Sequence, residues 1–149
     1  MAHLGVPFAI EPPLSGRLEA VLEDWKSLLR GQAEIPFADD LDFARAERLC
    51  PDAFLLGVFE RPRRFRFELA STPHAPEIAR ELLGRFIDEV ELRGPLHYLR
   101  AQAEAAVESL APSFYEHRPT GAEHGYGRLL LPAWGEGHVS ALLGAVEFR

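Results

Sequence analysis

Histidines, one cysteine, several serines and a run of acidic residues are the side chains in this 149-residue chain that could hold a metal, pass a proton or attack a substrate. The six histidines are His3, His74, His97, His117, His124 and His138. None has a second histidine four residues on, the spacing that places two imidazoles on one helix face, and no Cys-x-x-Cys accompanies them. A zinc centre is therefore not expected. A single histidine can hold haem from one axial side, and His74 and His97 are the candidates for that reading. A lone histidine is more often a hydrogen-bonded structural residue, so no cofactor is required by the sequence. Ser15, Ser27, Ser71, Ser109, Ser113 and Ser140 lack a Gly-x-Ser-x-Gly elbow. Asp39, Asp40 and Asp42 lack the glycine and terminal glutamate of a calcium loop, and Asp42 reads instead as a helix cap. Gly125-Tyr126-Gly127 precedes a strand rather than opening a helix, so it offers no phosphate cradle. The residue types point away from an enzyme.

Composition narrows the partners. Net charge is −7, with 23 acidic against 16 basic residues, which disfavours nucleic acid and anionic membrane surfaces. The one basic cluster, Arg61, Arg63, Arg64 and Arg66, falls on a turn and the wet side of a strand, where solvation is the plain reading and an acidic partner the sharper one. A lone cysteine, Cys50, excludes an internal disulfide and fits a reducing compartment. Its neighbours suggest a buried small hydrophobe. The first residues show no charged n-region followed by an apolar run, and no stretch reaches the roughly 20 apolar residues of a membrane span. The expectation is a cytoplasmic protein.

The elements that would position any site are legible in order. Residues 1–13, rich in proline and glycine, read as an arm, and 14–149 as one domain. An amphipathic helix runs from Ser15 to Arg30 with Gly31 as its stop. Its stripe, Leu18, Val21, Leu22, Trp25 and Leu28, covers either the chain's own sheet or a second copy, and the near-heptad spacing favours a homodimer interface. Ala53–Phe59 and Arg64–Ala70 flank the breaker 60–63 and form a hairpin near the middle of a sheet. In its second strand Phe65, Phe67 and Leu69 alternate with charged residues and share one face. Pro76 opens a short helix stopped at Gly84. Gly94-Pro95 starts a long helix ended by Pro112, with Leu96, Leu99, Ala103, Val107 and Leu110 as its stripe. Three strands follow: Ser113–Arg118, Tyr126–Trp134 and His138–Phe148, the last two joined by a glycine-rich turn.

Aromatics gather on these strands and connectors. They read as core, or in part as the lining of a cavity between sheet and helices. The lining would comprise Phe54, Leu56, Phe67, Leu69, Phe86, Leu99, Tyr115, His117, Leu129 and Leu131, with Tyr115 or His117 orienting a ligand.

The segments WKSLLRG (25–31), LCPDAFLLGV (49–58), FRFELA (65–70), LGR (83–85) and RLLLPA (128–133) carry a resemblance. Through them the chain, over roughly residues 20–147, resembles the stand-alone PAS-like domain proteins of alphaproteobacteria. One departure is Ser71-Thr72, where such proteins tend to have Gly-Thr. The resemblance implies an α+β fold with a five-stranded antiparallel sheet in the order 2-1-5-4-3, helices on one face and an N-terminal amphipathic helix. It also implies a non-catalytic sensory or regulatory module that binds a small molecule or a signalling partner protein and forms a homodimer. The alternative is a ligand-free interaction or scaffold module with a fully packed core, docking through an exposed patch of Trp25, Leu18, Val21 and Leu28. A haem or redox protein ranks third.

Overall fold

The computed structural model describes residues 8–10, 14–73, 75–121 and 124–149. Most of the arm, together with His3 and His74, therefore lies outside the described residues. Five antiparallel strands form one sheet: β1 (Asp52–Phe59), β2 (Arg64–Ser71), β3 (Ser113–His117), β4 (Tyr126–Gly135) and β5 (His138–Phe148), in the order β2-β1-β5-β4-β3. This is the strand order that the resemblance implies; the helices that follow the N-terminal one, expected on one face, are divided between both. The hairpin forms as expected, but β2 is an edge strand and only β1 is interior.

Both faces of the sheet are covered, which is why Leu129, Leu130 and Leu131 are all fully buried despite pointing alternately up and down. On one face lie α3 (Pro76–Leu82) against β2 and α4 (Leu99–Ser109) against β3, β4 and β5. On the other lie α1 (Gly16–Lys26) and α2 (Phe43–Leu49) against β1, β4 and β5. We call these the α4 face and the α1 face.

Helix α1 ends at Lys26, four residues before the expected Arg30, and continues as turns closed by Leu28 N–H to Trp25 O and Leu29 N–H to Lys26 O. Ser15 stands at its N-cap, but its hydroxyl makes no capping bond. Leu18, Val21, Leu22 and Trp25 are all buried in the chain's own core, and the Trp25 indole N–H donates to Pro132 O at 2.9 Å. Of the two uses open to this stripe, the structure holds the intramolecular one. At roughly 1.5–3 kcal/mol for each large apolar side chain, that burial contributes substantially to stability. Leu28 is only half-buried. Asp42 caps α2 as expected, its carboxylate accepting from Arg45 N–H at 3.0 Å.

The largest departure from the sequence reading is at α4. The chain makes a 3-10 turn at Gly94–Leu96, passes through Tyr98 at φ 60°, and only then begins the helix at Leu99. The carbonyls of Gly94, Pro95 and His97 accept from Tyr126 and Arg128 of β4, which draws the segment toward the sheet and out of the path of an α-helix. Leu99, Ala103, Ala106 and Val107 form the buried stripe that remains.

Each sheet edge is engaged by the chain itself. Arg85 O accepts from Phe67 N–H at 2.9 Å and Gly84 N–H donates to Phe67 O at 2.7 Å along β2. Phe8 O accepts from Phe114 N–H at 2.7 Å along β3.

Candidate functional site

A cleft of about 760 Å³ opens on the α4 face, between the sheet and the segment running from α3 to Leu96. Its size lies within the usual range for small-molecule sites. Phe54, Phe67, Ala70, Val146 and Phe148 supply its sheet side, and Ile78, Leu82, Val90 and Leu96 its helical side. Phe54 and Phe67 meet edge to face at 5.8 Å. Phe54 lies across Gly144, where a Cβ would come within 2.2 Å of its ring. Glycine there lets the ring lie flat against β5 and keeps space open above it.

Charge surrounds the apolar lining. Asp52, Glu81, Glu89 and Glu91 face two guanidiniums, Arg85 and Arg93, and Arg93 already pairs with Glu91 at 3.6 Å. The excess of carboxylates disfavours an anionic ligand. The carboxylate of Glu89 is also engaged, accepting from Phe86 N–H at 2.9 Å.

Of the ten residues expected to line a cavity, Phe54 and Phe67 do so. Leu56 is on the same face but buried outside the cleft, and Leu99 is buried within α4's core stripe. Leu69 is 42% exposed on the opposite face. The cause is a β-bulge: Leu56 pairs with Phe67 but Leu55 pairs with Leu69, leaving Glu68 as the extra residue. One inserted residue reverses the alternation, so Ala70 rather than Leu69 joins Phe67. Leu129 and Leu131 are likewise on the α1 face. Phe54 aligns with Gly144 and Gly144 with Leu130, so Leu130 has the parity of the cleft. Phe86 bridges to Arg66 at the outer edge of β2, packing on Phe59 at 5.5 Å and under the Arg64 guanidinium at 3.7 Å.

Tyr115 and His117 lie on β3, away from the cleft, in an aromatic chain that reaches it indirectly. Phe8, Tyr115, Tyr126 and Phe148 follow one another at 6.2, 6.0 and 6.3 Å, with His117 stacked on Tyr126 at 5.2 Å. The haem candidate His97 is exposed and outside the lining, its ring near Tyr98. Among the described residues no three His, Cys, Asp or Glu side chains gather as a metal site.

Three of the four clustered arginines are paired internally. Arg63 pairs with Glu104 at 3.0 Å and Glu60 at 3.4 Å, Arg64 with Asp88 at 2.8 Å, and Arg66 with Glu68 at 2.8 Å. The Arg64 bond holds the Asp88 carboxyl below its ordinary range. Little free positive field remains for an acidic partner.

Arg128 is the polar residue that the sequence reading passed over. It is fully buried on the α4 face. Its guanidinium donates to Gln102 Oε1, Pro95 O and His97 O, each at 2.7 Å, and lies 5.1 Å from the Tyr115 ring centre. Burial pulls its pKa down to about 10, which leaves it charged at neutral pH. Gln102 Nε2 in turn donates to Ser113 Oγ and Arg128 O, both at 3.1 Å. Tyr126 Oη donates to Gly94 O at 2.9 Å. The available signal was an arginine opening the run RLLLPA, in a strand too apolar to be wet.

Strand order and the combination of one antiparallel sheet with four α-helices give an α+β, PAS-like layout. Compared with family models, characterised proteins and solved structures, the chain matches none. No described helix is long and apolar enough to cross a membrane.

Proposed function

We propose that this chain is a cytoplasmic, non-catalytic sensory or regulatory module of the PAS-like kind. It binds a small, largely apolar and non-anionic molecule in the cleft on its α4 face and passes the signal to a partner protein. The cleft carries this reading: an apolar floor of two phenylalanines held open by Gly144, walled by a segment that is not continuous helix. Such a ligand acts by binding one conformation better than another, so the wall segment must differ between states. Homodimerisation would use a surface other than the α1 stripe, which is buried in the monomer. The same burial removes the patch on which the ligand-free docking alternative relied.

Native mass spectrometry of the purified protein, set against its denatured mass, tests the reading. A non-covalent mass surplus lost in Ala70→Trp, which fills the cleft, is the expected result, and the same spectrum reads the oligomeric state. A bare mass, together with no uptake of the neutral dye Nile red by the wild-type protein, would overturn it.

A further inference from the structure

We propose that Arg128 is the positioning residue of the cleft: from β4 it sets the Gly94–Leu96 wall and couples occupancy of the cleft to β4 and α4. The coupling rests on the ligand-binding reading above; the positioning does not.

Gly94, Pro95 and Leu96 line the cleft with their inner side. On the other side the carbonyls of this segment meet β4, with Gly94 O accepting from Tyr126 and Pro95 O and His97 O from Arg128. The segment is bounded by two left-handed residues, Gly94 at φ 58° and Tyr98 at φ 60°. For tyrosine that conformation is unfavourable and persists only where the surroundings impose it. Tyr98 is an exposed side chain with ring contacts to His97 and Tyr115, so the imposing contacts are those on the carbonyls before it.

Among the described residues, all of Arg128's hydrogen bonds go to neutral oxygens. A buried cation facing a carboxylate would be locked by charge. Facing three dipoles, it is held only while those oxygens keep their places, since a buried guanidinium gains or loses with each bond. The third oxygen belongs to Gln102, which also bonds β3 through Ser113 and β4 through Arg128 O. Movement of the wall thus alters a hydrogen-bonded ring that includes α4, β3 and β4.

Hydrogen exchange of the Leu96 and His97 amides, read by NMR in the full chain, decides the matter. Their donors bond within the turn, to Arg93 O and Gly94 O. Arg128→Met is expected to speed their exchange by about tenfold or more, from the loss of charge-assisted bonds, while the turn amides of Leu28 and Leu29, bonded to Trp25 O and Lys26 O, stay as in wild type. Nile red is expected to protect these two amides in wild type and not in Arg128→Met. Tyr126→Phe, which removes only the bond to Gly94, serves if Arg128→Met does not fold, and is expected to give a smaller rise at the same amides. Unchanged exchange at Leu96 and His97 would overturn the inference. So would a rise shared by the turn amides of Leu28 and Leu29, which open locally and far from Arg128. If wild type takes up no dye, the ligand reading and the coupling fall, and the dye-free comparison still decides the positioning.

Discussion

The two faces of the sheet solve the same packing problem with different materials. On the α1 face, aliphatic side chains and one indole close against the small residues Ala133, Ala141 and Ala145, all buried. On the α4 face, a fully buried guanidinium, a glutamine and a glycine take positions where the other face has leucine and alanine. The first arrangement gains stability from area where α1 and α2 cover it, and leaves a cleft of about 670 Å³ only at the end of the sheet, beside Gly57 and Trp134. The second leaves about 760 Å³ open and fixes its wall with directional hydrogen bonds.

Truncation gives the sharpest contrast. Leu131→Ala on the closed face is expected to cost about 2–5 kcal/mol, because its surroundings cannot collapse to fill the gap. Val90→Ala at the half-buried cleft wall is expected to cost less than about 1.5 kcal/mol. Urea denaturation reads both, and equal losses would erase the distinction. Gly144→Ala comes next. Its new methyl would meet the Phe54 ring, so it is expected to lose about 1–3 kcal/mol as an overpacked site. It should also cut Nile red uptake, and a variant as stable as wild type would show that Phe54 can turn aside freely. The smallest effect concerns Cys50, whose thiol donates to Val146 O at 3.3 Å beneath α2. Burial pushes its pKa from 9.0 up to about 11. It is expected to react with a chromogenic disulfide reagent at pH 8 only after denaturant is added. Its contribution to stability is complete below pH 9 and lost as pH rises toward 11, since the unfolded thiol ionises first. Rapid labelling of the native protein would mean the α1 face opens more readily than its packing implies.

The sequence showed strands and helices well where alternation was local. The β1–β2 hairpin, the Asp42 cap and the last two strands all follow from neighbouring residues. Facing was harder. Leu129-Leu130-Leu131 is apolar at every position, so nothing in it says which leucine meets the cleft, and the Glu68 bulge reverses parity without a glycine to announce it. The start of α4 was hidden for a different reason. Gly94-Pro95 is a good local helix opening, but side chains more than thirty positions later claim its carbonyls. Local pattern therefore located two phenylalanines of the cleft floor, Phe54 and Phe67, and missed its wall.

The engaged sheet edges carry one further consequence. With Phe67 bonded to the 84–85 segment and Phe114 to Phe8, the middle of each outer strand has already found its backbone partner. The ribbon is finite: a sixth strand, whether a peptide or a neighbour's edge, would first have to peel the chain from itself. Crowding this molecule should therefore favour contacts read by side-chain shape and charge, which are particular to a partner, over the indiscriminate ladder by which open sheets grow into fibrils.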